Sequence, residues 1–286
     1  MIAKDFSMRY TIESAQPLTF CADYSFSGSS GSVVYATRKG VFRVRAYQHG
    51  KDAELSYEYS GKYSAAGARS EITRRFSLDH DIKEIYKRIS TDSNIKNAIS
   101  RYYGLRVTLN DPWEAALSFV VSQFNNVKRI RRIMKALIEN YGEEADSSLG
   151  IGRLFPEPEA IAAATVKELM ACGTGFRAKY IKELAEEWNS IERKNLASKG
   201  YQEAKAELME MNGIGDKVAD CILLMGYGKL EAFPIDTWIK RVMEREYLKK
   251  RSSIKEIHNF AEKKWGSYAG YAQQYIFWHG RSAGRK

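Results

Sequence analysis

The chain has 286 residues, and 45 lysines and arginines against 35 aspartates and glutamates give it a formal net charge of +10. This positive excess predicts attraction to a polyanion such as a nucleic acid. Three cysteines without a CxxC pair exclude a disulfide scaffold, and the absence of a signal peptide or a membrane-length apolar stretch predicts an intracellular protein that is not secreted.

The N-terminal part has the pattern of a β-sheet. Residues 7 to 60 alternate apolar and polar side chains, and glycine turns interrupt them at residues 28 to 31, 39 to 40 and 49 to 51. This pattern predicts four or five antiparallel strands. We therefore place an N-terminal sheet domain, closed by a terminal helix, at residues 1–103.

From Asp81 onward the pattern becomes helical. Ile82, Ile85, Tyr86 and Ile89 fall on one helical face, and later helices are separated by glycine or proline breaks. Residues 104–286 are therefore predicted to be a helical region. Together the two parts predict an α+β protein in which a sheet domain precedes a mostly α-helical domain.

A helical hairpin is predicted at residues 204–225. Two helix-forming runs, 204–211 and 218–225, flank the turn Gly213-Ile214-Gly215, whose glycines are free to adopt positive φ. A turn that opens a helix presents unpaired backbone N–H groups, and with the helix dipole these favour an anion. The turn follows a helix and lacks a third glycine, so a dinucleotide site is not indicated.

Lys217 and Asp236 each begin a predicted helix and are the candidate catalytic residues. The helix N-terminus disfavours the charged form of Lys217, which suits a nucleophilic amine. Asp236, in the segment FPIDTW, suits a carboxylate that stabilises positive charge. By position alone, the ordinary role of a solvated or phosphate-binding lysine is the better explanation of Lys217, and helix capping by itself would explain Asp236.

These residues carry a family resemblance. GIGDKVADC followed by FPIDTWIKRV is similar to the signature of the helix-hairpin-helix (HhH-GPD) DNA glycosylase superfamily, in its lysine-nucleophile branch. DPWEAALSFVVSQFNN at 111–126, GTGFRAKYI at 173–181 and YAGYAQQYIF at 268–277 resemble segments of 8-oxoguanine DNA glycosylases in the same order. The helical region is then expected to have two lobes with an active site between them.

The resemblance implies a base excision repair enzyme that flips a damaged base out of duplex DNA. Lys217 is expected to attack the sugar C1′ and form an imine, after which β-elimination nicks the strand; Asp236 is expected to stabilise the developing positive charge. The hairpin is expected to hold the backbone of the DNA through Gly213, Gly215 and Val218.

Three residues match the family's substrate-base pocket. Gln273 matches the glutamine that binds the Watson–Crick edge of 8-oxoguanine, and Phe277 and Cys221 match the residues on either side of the purine plane. Each is also explicable as core or surface. The family recognises the N7 proton through the carbonyl of an N-terminal glycine; residues 22–26 contain no glycine, which predicts that this route is missing.

Other matches concern entry into the duplex. Phe176 matches an aromatic wedge, and Arg177 and Arg129 match arginines that contact the opposite cytosine. Phe124 stands where the family has the asparagine that fills the vacated space, and Asn125 follows it. Because phenylalanine cannot hydrogen-bond cytosine, we expect a weak dependence on the opposite base.

The expected partner is double-stranded DNA containing oxidised guanine, bound by a monomer without membrane contact. No cofactor is expected to be required, since three cysteines exclude the four-cysteine iron–sulphur cluster of related branches. The resemblance implies a monovalent cation at the hairpin, held by the backbone carbonyls of Met209, Met211 and Ile214.

Two alternatives remain open at the level of sequence. One is another glycosylase of the superfamily, for alkylated bases, in which an aspartate alone suffices; Lys217 and Gln273 argue against it. The other is a DNA-binding protein without catalytic activity, which uses the hairpin only to hold phosphate.

Overall fold

The fold begins with one five-stranded antiparallel sheet, here described from a computed structural model that covers residues 1–283. The strand order is β1-β5-β4-β3-β2. The first elements are β1 (Ile2–Ala3), α1 (Met8–Glu13), α2 (Pro17–Cys21), β2 (Asp23–Ser27), β3 (Ser30–Ala36), β4 (Gly40–His49) and β5 (Asp52–Gly61). The predicted antiparallel strands are thus confirmed, but residues 8–21 are mostly helical, contrary to the expectation of strands from residue 7.

The two short helices before β2 have local causes. Ser7 caps α1 by accepting a hydrogen bond from the Tyr10 N–H, and Pro17 stands at the first turn of α2, where its missing N–H costs nothing. Over so few residues, the order of apolar and polar side chains in these two short helices looks the same as the alternation expected of a strand. A short apolar run therefore did not distinguish the two.

One face of the sheet is covered by a helix. Phe42 and Val44 of β4 alternate with more exposed arginines and face a core shared with Val33, Ile72 and Phe76. The last two belong to α3 (Ala65–Arg75) and its C-terminal end. Burial of each such side chain contributes about 1.5–3 kcal/mol, so this cluster is enough to hold α3 on the sheet.

The remaining elements are almost entirely helical. They are α4 (Ile82–Ile89), α5 (Ser93–Arg101), α6 (Pro112–Ser122), α7 (Val127–Tyr141), a 3-10 turn (Ser147–Leu149), α8 (Pro158–Ala163), α9 (Val166–Ala171), α10 (Arg177–Arg193), α11 (Tyr201–Met209), α12 (Asp216–Gly226), α13 (Thr237–Val242), a π-helical segment (Met243–Leu248), α14 (Ile254–Trp265), a second 3-10 turn (Gly266–Tyr268) and α15 (Ala269–Ala283). No helix in residues 1–283 is long and apolar enough to span a bilayer.

The helices form two groups. The first centres on α6, most of whose residues are buried, and packs α6 against α7, α10 and α12. The second packs α15 against α4, α5, α13 and α14. Ile82, Ile85 and Ile89 are buried as their spacing predicts. Residues of α4 and α5 share one hydrophobic core with the later helices. The domain boundary between residues 103 and 104 therefore does not coincide with a boundary of this core, and it stays a prediction.

Candidate active site

The predicted hairpin is formed by α11 and α12. Gly213 adopts φ +83°, and a Cβ there would lie 2.5 Å from the ring of Tyr180. Gly215 is extended and is the N-cap of α12, so only one of the two glycines needs positive φ. The side chain of Val218 is buried, so any contact of this residue with a phosphate would be made by its backbone N–H.

Lys217 lies in the first turn of α12. It is half-buried, and its Nζ donates a hydrogen bond of 3.4 Å to the Ser122 hydroxyl and lies 5.1 Å from the ring centroid of Phe119. Both contacts come from α6. The lysine is therefore directed inward, against the apolar face of a neighbouring helix, and not outward among the solvated basic side chains.

Asp236 is the N-cap of α13, which is one of the two roles that the sequence predicted for it. Its Oδ1 accepts the Ile239 N–H at 2.7 Å, while the side chain lines the same cavity as Lys217. The capping bond uses one carboxylate oxygen and fixes the rotamer. Capping and a place in the cavity thus coexist in one residue.

All three predicted base-pocket residues line this cavity, which lies between the two helix groups. The lining residues are Ala15, Phe20, Phe119, Ser122, Asn125, Val127, Ile130, Lys217, Cys221, Met225, Pro234, Asp236, Gln273, Gln274, Phe277 and Arg281. Burial raises the pKa of the Cys221 thiol to about 11, against the opposing effect of the Lys217 charge. Cys221 is therefore a neutral thiol beside the lysine at ordinary pH.

Gln273 is held in place by only one half of its amide. Its Nε2 donates to the carbonyl of Pro234 at 3.1 Å, and its Oε1 is buried without a hydrogen-bond partner among the described residues. An unpaired buried acceptor costs about 1–3 kcal/mol. A ligand with an N–H group in the cavity would remove this cost.

Several cavity residues were not found from the sequence. Phe119 and Ser122 are one turn apart on α6, inside the segment 111–126 that resembles the family. Their spacing, which puts both on one face of a helix, was the signal available in the sequence. Arg281 lies over the ring of Phe277, 5.6 Å from its centroid. That contact joins residues one turn apart on α15.

The N-terminal contribution comes from a different segment than expected. Residues 22–26 run into β2, whereas Ala15 lines the cavity and adopts φ +58°. Positive φ is the conformation for which glycine is the usual residue. Gln274 donates to the carbonyl of Ser14 at 2.8 Å and thereby ties α15 to this turn. The sequence signal for this turn is Ser14-Ala15-Gln16, three residues that directly precede Pro17 and the start of α2.

Two aromatic side chains lie on the protein surface beside the cavity. Phe124 is 92% exposed and Phe176 is 55% exposed, and their ring centroids are 6.3 Å apart. Asn125 lines the cavity and donates to the Val121 carbonyl. Arg129 is exposed one turn into α7. The structure therefore brings the predicted duplex-invading residues to one rim.

Arg177 does not fit the contact predicted for it. It is buried, and its Nε donates to the Gln123 carbonyl at 2.7 Å while Nη2 donates to the Phe124 carbonyl at 3.1 Å. Burial lowers the pKa of Arg177, and the charge of Arg129 acts in the same direction. A guanidinium bound to backbone carbonyls in this way is directed away from solvent, so its position does not support a direct contact with cytosine.

One of the three carbonyls predicted to bind a cation already has a partner. The Met211 carbonyl accepts the Ile214 N–H at 3.1 Å. A carbonyl oxygen has a second lone pair, so this hydrogen bond is compatible with an ion. The cation at Met209, Met211 and Ile214 stays a prediction.

A buried charged cluster supports α12 from the opposite side. Lys205 Nζ lies 2.9 Å from both Asp216 and Asp220, and His258 Nε2 lies 3.0 Å from Asp216. Burial opposes ionisation of Asp216, but hydrogen bonds from His258 and Lys205 outweigh it and lower its pKa to about 2. The two aspartates and His258 resemble a metal-ligand set, yet the Lys205 ammonium already forms an ion pair with each aspartate.

Comparison with known proteins is consistent with this arrangement. Residues 117–267 match the model of the HhH-GPD superfamily of base excision DNA repair proteins, and residues 2–116 match the N-terminal domain of 8-oxoguanine DNA glycosylases. A probable N-glycosylase/DNA lyase of Methanothermobacter thermautotrophicus is 30% identical over 269 residues, which are 86% of this chain and 81% of that protein.

Solved structures are similar over nearly the whole chain. MBOgg1, in complex with a low-affinity DNA ligand, has a TM-score of 0.87 and 32% identity, and the match covers 99% of this chain and 96% of that one. The Clostridium acetobutylicum 8-oxoguanine glycosylase/lyase, bound to double-stranded DNA with cytosine opposite 8-oxoguanine, has a TM-score of 0.85 and 28% identity. That match covers 98% of this chain and 93% of the other.

Proposed function

The chain belongs to the HhH-GPD superfamily of base excision DNA repair proteins, in its 8-oxoguanine DNA glycosylase/lyase family, and from that premise we propose how its own residues perform the reaction. It is a bifunctional DNA glycosylase and lyase. The proposed partner is double-stranded DNA containing 8-oxoguanine. The observation that carries the proposal is that Lys217, Asp236 and Gln273 line a single cavity.

Recognition begins with a nucleotide rotated out of the duplex. The buried Oε1 of Gln273 accepts a hydrogen bond from an N–H group on the Watson–Crick edge of the base. Phe277 and Cys221 contact the two faces of the purine. The Ala15 carbonyl is the proposed acceptor for the N7 proton, because Ala15 lines the cavity in the conformation that a glycine would adopt.

The chemical step uses the neutral amine of Lys217. Its nitrogen lone pair forms a bond to C1′ while the N-glycosidic bond breaks and its electrons leave with the base, which then takes up a proton. Asp236 stabilises the positive charge that develops on the sugar. Opening of the sugar ring and loss of an amine proton give the imine.

Strand cleavage then follows from the imine. The C2′ proton passes to solvent, a C2′–C3′ double bond forms, and the C3′–O3′ bond breaks, which releases the strand on the 3′ side with a phosphate at its 5′ end. Gly213, Gly215 and Val218 hold the phosphate of the damaged strand through their backbone N–H groups. None of these steps is assigned to the hairpin cation.

The deciding experiment is borohydride trapping. Incubation with a duplex containing 8-oxoguanine and sodium borohydride is expected to give a covalent protein–DNA adduct, and Lys217→Gln is expected to abolish it. No adduct with the unaltered chain would contradict the mechanism. Base release without an adduct would favour a glycosylase that needs Asp236 alone, and a duplex with an alkylated base provides the parallel substrate.

A further inference from the structure

The rim of the cavity contains an aromatic residue in an unfavourable conformation. Phe124 follows the end of α6, is 92% exposed, and has φ +46°. Exposure of a large apolar ring and positive φ on a residue with a Cβ are both unfavourable, and such strain is found mainly where function requires it. Its nearest ring neighbour is Phe176, the second exposed aromatic of the rim.

The conformation of Phe124 is held by Arg177. The guanidinium donates from Nε and Nη2 to the Gln123 carbonyl, from Nη2 to the Phe124 carbonyl at 3.1 Å, and from Nη1 to the Thr174 carbonyl at 3.2 Å. It thus joins the end of α6 to the turn before α10. Hydrogen bonds to a charged group are stronger than neutral ones, and together these bonds outweigh the strain of one left-handed residue.

The same arginine also sets the position of the second ring. Arg177 is the residue after Phe176, and its guanidinium carbon lies 4.5 Å from the Phe176 ring centroid. A planar cation beside an aromatic face is attracted to it. One buried side chain therefore fixes the backbone under Phe124 and contacts the ring of Phe176.

We propose that Arg177 is a positioning residue that presents Phe124 and Phe176 as a pair of aromatic wedges, and that it does not read the opposite base. This inference rests on the proposed function. The two rings enter the duplex together at the flipped nucleotide and stack on the bases that remain. Stacking is tolerant of sequence, so this device works equally for each opposite base, and Arg129 is the exposed arginine left to contact the opposite strand.

The test is a double-mutant cycle on four substrates. Single-turnover excision of 8-oxoguanine is measured opposite each of the four bases for Arg177→Lys, Phe124→Ala and the double variant. Lysine retains the charge but has one donor nitrogen in place of the three with which Arg177 reaches the carbonyls of Gln123, Phe124 and Thr174, so it cannot hold all three in their present positions. Arg177→Lys is expected to slow excision about tenfold, by a similar factor for all four opposite bases, because about one charged hydrogen bond is lost.

The double variant is expected to be no slower than the slower single variant, because Arg177→Lys already displaces the ring that Phe124→Ala removes. A loss confined to duplexes with opposite cytosine, or single effects that multiply in the double variant, would overturn the proposal. So would full activity of Phe124→Ala on all four duplexes, an outcome that does not depend on how well Arg177→Lys folds.

Arg129→Lys is the matched control. It makes the same chemical change at an exposed arginine of the same rim. Its effect on the excision rate is expected to multiply with the effect of Phe124→Ala. Thermal unfolding of each variant separates local from global effects. If Arg129→Lys coupled to Phe124→Ala as strongly as Arg177→Lys, the assignment of the positioning role to Arg177 would be wrong.

A second readout does not require base excision. A duplex with an uncleavable abasic-site analogue and a neighbouring 2-aminopurine is expected to become more fluorescent on binding, because the wedges unstack the probe, and Arg177→Lys is expected to lose that increase. If the unaltered chain failed to excise 8-oxoguanine yet produced the increase, the proposed substrate would fail and the wedge would stand. Retention of the increase in Arg177→Lys would refute the wedge.

Discussion

The side-chain amide of Gln273 donates to the carbonyl of Pro234 at 3.1 Å and so ties α15 to the segment that carries Asp236. The other half of that amide, Oε1, is the buried acceptor directed to the substrate base in our proposal. Gln273→Leu is expected to reduce 8-oxoguanine excision about 10- to 100-fold, the effect of losing a buried hydrogen bond.

The same variant is expected to nick a duplex with a preformed abasic site at the normal rate, because Lys217 and not the base pocket performs that step. Excision and abasic-site nicking are measured in parallel under single-turnover conditions. An equal loss of both activities would show that Gln273 acts only through the structure of the cavity.

Phe124→Asn is expected to restore a preference for opposite cytosine. Asparagine tolerates the left-handed conformation that Phe124 adopts at φ +46°, and its amide can hydrogen-bond cytosine. One such bond is worth about 1 kcal/mol, or roughly fivefold in rate. The unaltered chain is expected to excise at similar rates opposite all four bases; strict cytosine preference before substitution would contradict this.

Gly213 and Gly215 provide a matched pair in the hairpin. Gly213→Ala is expected to cost about 2 kcal/mol or more in unfolding free energy, because φ is +83° and the new Cβ would lie 2.5 Å from the Tyr180 ring. At Gly215 a Cβ meets no atom within 4 Å. Gly215→Ala is therefore expected to change stability by about 0.5 kcal/mol or less.

The Gly215 substitution instead tests phosphate binding, because the added methyl group stands in the open space in front of the N-terminus of α12. Affinity for an abasic-analogue duplex is expected to fall while denaturant midpoints stay unchanged. Unaltered affinity in Gly215→Ala would argue against phosphate at this turn.

Ala15→Gly is expected to stabilise the protein by up to about 1 kcal/mol, because the left-handed conformation at φ +58° strains a residue with a Cβ. Ala22→Gly is the control: Ala22 is buried in an extended conformation, φ −94°, so that change is expected to destabilise. Urea unfolding measures the free energy of unfolding of both variants. Destabilisation by Ala15→Gly would show that the Ala15 methyl group is needed for packing.

Acid is expected to weaken the cluster behind α12. The pKa of Asp216 falls from 3.8 to about 2 on folding, so its contribution to stability is present above the unfolded value and is lost as pH falls from about 4 to about 2. Asp216→Asn is expected to be less stable at neutral pH, with the difference from the unaltered chain shrinking in that window.

Lys205→Met gives an independent check on the same carboxylate. Because the ammonium helps to hold Asp216 ionised, its removal is expected to move the acid transition to higher pH. Denaturant unfolding as a function of pH measures both variants. A constant difference between Asp216→Asn and the unaltered chain over the whole acid range would exclude this role.

The sequence by itself determined the features that depend on neighbours along the chain. The hairpin of α11 and α12, the first-turn position of Lys217 and the N-cap at Asp236 follow from local rules for glycine turns and helix ends. The sheet followed from alternation, except that two short helices before β2 have too few residues to show a period.

Only the tertiary structure decided how distant segments share one cavity. Ala15, Ser122 and Gln273 come from three separated parts of the chain, and their contacts are set by helix packing that no local pattern encodes. Arg177 is the clearest case: its match to the family predicted a contact with the opposite cytosine, but packing against the end of α6 placed its guanidinium beside backbone carbonyls that it serves as a donor. A buried charge depends on its partners in space, so its role followed from the fold and not from its position in a motif.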